Sequence, residues 1–418
     1  MNGLRTVCIV LLFIATGATS FAQSLPLTSP ESVGFSQERL DRITAAMNRH
    51  VEAGDISGGT GLIARHGKIA YFETYGNQDR ESETPMDKDA IFRIYSMSKA
   101  ITGVAVMMLH EEGKFFLTDP VSKYLPEYTD MKVASMFDGE VQLTDATQQI
   151  TVRDLLRHTA GITYGGGKVL GPLYRKAGVG GRNDDLEAFS KKLAAAPLSF
   201  EPGSTWEYGY SIDVLGRLVE VISGQPFDAF LEERLFAPLG MNDTAFHVPA
   251  EKHDRLVTLY SPNENGGIRV ATSRAQDSYK EPATFFSGGG GLVSTTMDYA
   301  RFCQMLLNDG DLDGEQILGR KSVELMRTDH LADIPKKGYL IAADGIGFGL
   351  TFAVQKDPGL NGTLDSKGSY RWGGAAGTRF WIDPAEDMFC VFMVNILPYT
   401  NLKYGDEFKL LAYQALVD

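Results

Sequence analysis

Segments with the pattern of β-strands lie near both ends of this chain, and a long stretch of mostly helical pattern separates them. The first two runs, residues 59–65 and 69–75, are joined by His66-Gly67-Lys68, which is typical of a hairpin. The later runs are residues 291–294, 347–354, 371–382 and 388–395. Because backbone N–H and C=O groups must find partners, we expect the early and late runs to share one antiparallel sheet.

Helical patterns stand at both ends and fill the middle. Ser36 is a candidate N-cap for a helix over residues 36–54, and a last helix is predicted over residues 406–416. Between them, helices are predicted at residues 96–112, 151–158, 185–195, 212–223 and 226–235, and a long loop at residues 165–184. This layout predicts an α+β fold, in which terminal helices flank an antiparallel sheet and a mostly helical subdomain is inserted. We expect one unit over residues 23–418, with an α/β part at about 23–95 and 285–418 and a helical part at about 96–284.

The first residues have the pattern of a secretory signal peptide. Arg5 supplies a positive charge, residues 7–15 are apolar without a break, and Ser20-Phe21-Ala22 has small residues where a signal peptidase reads them. Residues 1–22 are therefore predicted to be removed near Ala22, which places the mature protein in the periplasm or outside the cell. The alternative of a membrane anchor is weak, because the apolar run is about half of the ~20 residues needed to span a bilayer. We expect no membrane span in the mature protein.

Charge and cysteine content exclude several classes of partner. The formal net charge of −13 argues against a nucleic-acid binder, which needs a basic surface. Cys8 lies in the predicted signal peptide, while Cys303 and Cys390 either form one disulfide or are separate buried side chains. Without a cysteine cluster or a closely spaced histidine pair, neither a metal site nor another cofactor is expected.

Ser96-Met97-Ser98-Lys99 is the only Ser-x-x-Lys in the sequence, and it opens a strongly apolar predicted helix. Positions i and i+3 share a helix face, so the Ser96 hydroxyl and the Lys99 amine can meet. A serine becomes a good nucleophile when a base takes its proton, and a buried lysine whose ammonium is disfavoured by desolvation can be that base. The motif predicts Ser96 as nucleophile and Lys99 as its activating partner; the alternative is a solvated helix cap with a surface lysine.

Three further stretches accompany this motif. Residues 155–162, Leu-Leu-Arg-His-Thr-Ala-Gly-Ile, are similar to an "LL-x-HTSG" segment of one enzyme superfamily. Residues 119–126 and 238–244 are similar to two other stretches of the same superfamily. With its Ser-x-x-Lys, the chain resembles the serine β-lactamase and penicillin-binding-protein superfamily from about residue 30 to its end. The resemblance implies a β-lactamase/transpeptidase-like fold and an acyl-enzyme on Ser96.

The second motif of that superfamily supplies a catalytic tyrosine, about eight residues before the glycine of a Leu-Gly in the following helix. Here that glycine is Gly216, which selects Tyr208 and leaves Tyr210 as the second candidate. The resemblance implies that the Tyr208 phenol shuttles protons beside Lys99; the alternative is a core tyrosine. Tyr210 stands where the superfamily's Tyr-x-Asn has its asparagine, so that contact to a substrate amide is missing.

The third motif departs further from the β-lactamase pattern. Where a Lys-Thr-Gly strand lines the site of such lactamases, this chain has Trp372-Gly373-Gly374-Ala375. The glycines let substrate approach the backbone closely, and the resemblance implies an oxyanion hole made by the N–H groups of Ser96 and Ala375. Trp372 is either a core aromatic or a substrate contact that packs an apolar acyl or alcohol group. Trp-Gly-Gly resembles the β-lactamase-like (family VIII) carboxylesterases and related acyltransferases.

These features together predict a serine hydrolase that cleaves uncharged small-molecule esters with short to medium acyl groups. One alternative is a β-lactamase, D-amino-acid peptidase or amide hydrolase of the same superfamily, and another is a penicillin-recognising sensor without turnover. The absence of Gly-x-Ser-x-Gly disfavours an α/β-hydrolase elbow. Residues 287–291 lack the Lys-Ser or Lys-Thr of a phosphate loop and are expected to form a tight turn near the site. Arg379 could contact a substrate carboxylate, but it is expected to be a surface strand residue.

Overall fold

The computed structural model describes residues 25–180, 184–338, 340–399 and 403–418. The predicted signal peptide lies outside the described residues. Within these ranges, no helix combines the length and the apolar character that crossing a membrane requires.

The strands of the described residues are numbered in chain order. They are β1 (Gly58–Arg65), β2 (Lys68–Asp79), β3 (Thr84–Pro85), β4 (Ile91–Arg93), β5 (Lys132–Phe137), β6 (Glu140–Asp145), β7 (Tyr260–Pro262), β8 (Ile268–Val270), β9 (Val293–Thr295), β10 (Asp311–Leu312), β11 (Glu315–Gln316), β12 (Ile346–Phe348), β13 (Ala353–Gln355), β14 (Tyr370–Gly373), β15 (Arg379–Asp383) and β16 (Met388–Met393).

The α-helices are numbered in the same way. They are α1 (Gln37–Glu52), α2 (Ser98–Glu111), α3 (Val152–Leu156), α4 (Gly167–Ala177), α5 (Leu186–Ala194), α6 (Ser211–Ser223), α7 (Phe227–Leu231), α8 (Ala237–Leu239), α9 (Ser273–Gln276), α10 (Thr296–Leu307), α11 (Arg320–Met326), α12 (Pro358–Asn361) and α13 (Tyr404–Gln414).

One eight-stranded sheet joins strands from both ends of the chain. Its strand order is β12-β13-β14-β15-β16-β1-β2-β3, and every neighbouring pair is antiparallel. In the centre of the sheet, Leu62 of β1 pairs with Val391 of β16. The expected pairing of early with late strands is confirmed for the runs after residue 345, whereas the run at residues 291–294 forms β9, which pairs with β4 outside this sheet.

The two faces of this sheet bury different groups of helices. Along β16, Phe389 and Val391 pack into the core that contains residues of α2 and α10, whereas Cys390 and Phe392 pack into the core that contains residues of α1 and α13. This follows from the two-residue period of a strand, which sends successive side chains to opposite faces. Full burial of each large apolar side chain contributes about 1.5–3 kcal/mol relative to exposure. The helical layer that carries Ser96 is therefore fixed to one face, and the terminal helices cover the other.

Two predicted strands are wrong in the same way, because each is a hairpin. Residues 347–354 form β12 and β13, which are joined by a turn in which Thr351 has a φ of +76°. Residues 371–382 form β14 and β15, and the turn between them includes Gly377 with a φ of +94°. The residues on both sides of each turn have a strand-like pattern, so this pattern alone did not show where the chain reverses direction.

The predicted loop at residues 165–184 is also wrong, since it contains helix α4. Leu170 and Tyr174 are four residues apart on one face of this helix, and both are buried. The glycines and basic residues of this segment masked that spacing. The division into an α/β part and a helical part stays a prediction.

Cys303 and Cys390 are separate buried side chains. Cys303 on α10 and Cys390 on β16 are both free thiols in the hydrophobic core. Burial raises the pKa of each thiol well above its ordinary value. Both therefore act as small apolar groups.

Replacing Ser36 by alanine is expected to reduce the free energy of unfolding by about 1 kcal/mol. The Ser36 side chain accepts a hydrogen bond from the Arg39 N–H at the start of α1. The measurement is urea unfolding followed by circular dichroism. Ser29→Ala is the matched control, because Ser29 precedes a short helix without capping it through its side chain. Equal losses in the two variants would contradict the capping role of Ser36.

Candidate active site

Ser96 lies at a strained turn between a strand and a helix. The strand β4 pairs with β9, and the Ile94 N–H then donates to the Leu292 carbonyl at 3.1 Å. Tyr95 has a φ of +42°, in the left-handed region that costs a residue other than glycine about 1–3 kcal/mol. The half-buried Ser96 follows in a short 3-10 helix that runs directly into α2.

Lys99, one helical turn further on, is buried with its ammonium group turned toward Ser96. Its Nζ donates to the Gly289 carbonyl at 2.5 Å, to Tyr164 Oη at 3.2 Å and to Ser96 Oγ at 3.4 Å. Only 1% of the Lys99 surface is exposed. The three-residue spacing of the motif therefore does bring the hydroxyl and the amine together.

The charge state of Lys99 differs from the sequence-based expectation. Burial alone would lower the pKa of Lys99, but the phenols of Tyr164 and Tyr208 and the carboxylate of Asp213 outweigh it and raise this pKa above its ordinary value. Lys99 is consequently an ammonium ion at neutral pH. Desolvation by itself does not provide a neutral base at this site.

Tyr208 presents its ring face to Lys99. Lys99 Nζ lies 4.6 Å from the centre of the Tyr208 ring, at the distance of a cation–π contact. The Tyr208 Oη accepts a hydrogen bond of 3.1 Å from Trp372 Nε1, and the two rings are 5.3 Å apart. Trp372 on β14 is thus tied to Tyr208 as well as being largely buried.

Tyr164 is a candidate functional residue that the sequence analysis missed. Its Oη receives the 3.2 Å hydrogen bond from Lys99, and 46% of its surface is exposed. The ring of Tyr210 packs edge-on against that of Tyr164 at 4.7 Å. The available signal was the position of Tyr164, two residues after the segment at 155–162 that resembles the superfamily.

His158 forms part of the support beneath Tyr208. Its ring centre is 4.7 Å from that of Tyr208, and Trp206 and Phe348 surround it. Within the described residues, neither ring nitrogen of this buried histidine has a hydrogen-bond partner. Burial first, and then the nearby Lys99 charge, hold the pKa of His158 well below its ordinary value. His158 is therefore a neutral aromatic spacer.

The glycines that follow Trp372 bring β14 against the turn before Ser96. A Cβ added to Gly374 would lie 2.4 Å from the Ile94 carbonyl oxygen and 2.3 Å from Thr378 Oγ1. Gly373, the last residue of β14, pairs with Arg379. Ala375 follows at an exposed position. Arg379 itself forms an ion pair with Asp406, as expected of a surface strand residue.

Residues 287–291 form the expected turn beside the site and are called the Gly-rich turn below. The Gly291 N–H donates to the Ser287 carbonyl at 2.8 Å, which closes the turn. Its Gly289 carbonyl is the 2.5 Å acceptor of Lys99. The turn thus holds the lysine through this hydrogen bond.

An antiparallel sheet packed on a helix that begins with Ser-x-x-Lys defines the β-lactamase/transpeptidase-like class of fold. The chain belongs to the β-lactamase family, whose model matches residues 43–414. Protein Rv1367c of Mycobacterium tuberculosis is 35% identical over 86% of this chain and 90% of its own. Esterase EstB of Burkholderia gladioli is 30% identical over 85% of this chain and 90% of its own. The solved structure of EstCE1, described as a hydrolase with promiscuous acyltransferase activity, superposes with a TM-score of 0.74 at 27% identity, covering 91% of this chain and 99% of its own.

Replacing Gly374 by alanine is expected to reduce the free energy of unfolding by about 1–3 kcal/mol, because the new Cβ would overlap the Ile94 backbone carbonyl as well as the Thr378 hydroxyl. Urea unfolding followed by tryptophan fluorescence measures this change. Gly166→Ala is the control, because a Cβ there meets nothing within 4 Å and the φ is −79°. The control is expected to stay within about 0.5 kcal/mol of the parent protein. Similar values for the two variants would show that β14 does not press on the turn before Ser96.

Proposed function

We propose that this protein is a serine hydrolase that cleaves carboxylic esters through an acyl-enzyme on Ser96. The observation that carries the proposal is the placement of Ser96 Oγ 3.4 Å from a buried lysine that two phenols surround. Relatives that carry the names of esterases and a hydrolase over most of the chain support it. A small-molecule ester is the expected substrate.

In the proposed reaction, Ser96 Oγ attacks the ester carbonyl carbon and gives up its proton. Because Lys99 is an ammonium at neutral pH, we assign proton acceptance to the coupled set of Lys99, Tyr164 and Tyr208 rather than to a free lysine. The active form of this set holds one proton fewer than the resting form. Tyr208 then returns the proton to the departing alcohol, and water repeats the sequence to release the acid.

The negative charge that develops on the carbonyl oxygen needs backbone donors. We assign this role to the N–H groups of Ser96, at the start of the α2 region, and of Ala375, which follows the glycines of β14. The close packing of Gly374 on Ile94 supports this assignment, since it holds the two segments together.

Trp372 supports esters rather than lactams as the substrate class. It stands where the Lys-Thr-Gly lysine of related lactamases would hold a carboxylate, and an indole carries no charge for that purpose. Its ring borders Tyr208 and is suited to an apolar acyl or alcohol group. Gly373, Gly374 and Tyr210 are assigned to the same substrate-binding surface.

We also propose that the protein is exported. The charge of Arg5, the apolar run at residues 7–15 and the small residues around Ala22 support removal of residues 1–22 and a periplasmic or secreted mature protein.

The mature protein is expected to hydrolyse p-nitrophenyl butyrate rapidly and a chromogenic cephalosporin slowly or not at all. Ser96→Ala removes the nucleophile and is expected to abolish both activities. Rates are measured side by side from the absorbance of the two products. Efficient cephalosporin hydrolysis that Ser96→Ala abolishes would contradict the substrate class while keeping the nucleophile. Ester turnover that survives in Ser96→Ala would contradict the mechanism.

Tyr208→Phe and Tyr164→Phe separate the roles of the two phenols, since each variant keeps its ring and loses its hydroxyl. Loss of the proton shuttle is expected to lower kcat/KM of Tyr208→Phe about 10²- to 10⁴-fold. Tyr164→Phe loses a hydrogen bond to Lys99 and is expected to fall about tenfold. Initial rates with p-nitrophenyl butyrate measure both. The reverse order would assign the shuttle to Tyr164.

A further inference from the structure

We propose that Asp213 is a positioning residue of this site, whose carboxylate fixes the Gly-rich turn that receives Lys99 and whose negative charge balances the Lys99 ammonium. The inference rests on the proposed function for its effect on catalysis. It concerns a residue that none of the sequence motifs includes.

The geometry places a single residue, Gly289, between Asp213 and Lys99. Asp213 lies in the first turn of α6 and is 2% exposed. Its Oδ1 accepts hydrogen bonds from Ser287 Oγ at 2.5 Å and from the Gly289 N–H at 3.1 Å. The carbonyl of the same Gly289 accepts the 2.5 Å hydrogen bond from Lys99 Nζ. A change in the Asp213 carboxylate therefore moves the acceptor of the lysine.

The Gly-rich turn packs tightly against α6. A Cβ added to Gly289 would lie 2.4 Å from Asp213 Oδ2, and one added to Gly288 would lie 2.8 Å from the Ile212 carbonyl oxygen. The hydrogen bonds to Asp213 are thus made by a turn that cannot shift toward the helix. Because the turn is held against α6, the position of the helix fixes the position of the Gly289 carbonyl.

Each buried charge in this pocket needs a partner of opposite charge. Burial raises the pKa of Asp213, and Lys99 acts against that effect. In the other direction, Asp213 is the carboxylate among the groups that raise the pKa of Lys99. Among the residues that the structure describes, the other polar or titratable side chains that face this pair are Ser96, His158, Tyr164, Tyr208, Tyr210 and Ser287.

A neutral residue at position 213 removes the counter-charge, so the Lys99 ammonium loses its proton at a lower pH. If the deprotonated set is the active form, the rising limb of the pH–rate profile moves to lower pH with it. Loss of the acceptor oxygen has a separate effect, because it frees the Gly-rich turn and misplaces Lys99.

The experiment compares Asp213→Asn with the parent protein by NMR titration of ¹³Cε-labelled lysine, with the Lys99 signal assigned from Lys99→Met. Asparagine keeps an acceptor oxygen for Ser287 and Gly289 and removes the charge. The Lys99 titration and the rising limb of kcat/KM with p-nitrophenyl butyrate are both expected to move about one pH unit lower. An unchanged Lys99 titration in Asp213→Asn overturns the proposal.

Two further variants isolate charge from position. Asp298→Asn removes another buried carboxylate, on α10, and is expected to leave the Lys99 titration unchanged; an equal shift there would overturn a specific role for Asp213. Ser287→Ala keeps the Asp213 charge and removes one hydrogen bond, so kcat is expected to fall about tenfold with KM unchanged. Full activity in Ser287→Ala would overturn the positioning role, even if Asp213→Asn did not fold. Because the NMR titration needs no turnover, failure of ester hydrolysis would reject the proposed function and leave the Asp213 measurement decisive.

Discussion

The backbone hydrogen bonds between β1 and β16 hold together two parts of the chain that are far apart in sequence. Through this pairing, the hairpin of β14 and β15 reaches the turn that precedes Ser96. Both faces of the central strands are buried in different cores. A slip of one residue would therefore send every side chain of the strand into the opposite core, where it does not fit. The register of β1 on β16 is therefore strongly specified, and the geometry of the site depends on that register.

The second constraint is a single positive charge enclosed in protein. A buried ammonium is tolerated when its hydrogen bonds and its charge are both satisfied. Lys99 meets the first condition through the Gly289 carbonyl and the Tyr164 oxygen, and the second through Asp213. The ring of Tyr208 adds a cation–π contact on a further side. The aromatic residues around the lysine thus exclude water while they stabilise its charge.

The sequence predicted the regular elements well where one periodicity dominates. Helix α1 and strand β1 lie within two residues of their predicted bounds, because a cap or a tight turn marks their ends, whereas β2 continues to Asp79, beyond its predicted end at residue 75. It failed where a turn sits between two strand-like runs, as at Gly377, and where glycines dilute a helical pattern, as at Leu170 and Tyr174 in α4. The β5–β6 hairpin, whose strands are largely exposed, was also missed.

For the site, the three-residue spacing of the motif accounts for the contact between Ser96 and Lys99, but their roles and that of Tyr208 remain predictions. Tyr164 and Asp213 could not be found in this way, because their importance lies in contacts between segments distant in sequence. The charge state of Lys99 was missed for the same reason. Desolvation can be anticipated from an apolar helix, whereas the opposing groups come from the loop after α3, the segment before α6 and α6 itself.

The contact of Gly374 with Ile94 has a consequence for the order of events during synthesis. Ser96 leaves the ribosome long before the strands β14, β15 and β16 that complete its surroundings. Folding dominated by such distant pairings is slow, because the loop must close before its contacts can stabilise it. A nascent chain therefore carries a complete Ser-x-x-Lys segment without the strand that packs on it, and the assembled site exists only after β14, β15 and β16 have been made and have folded.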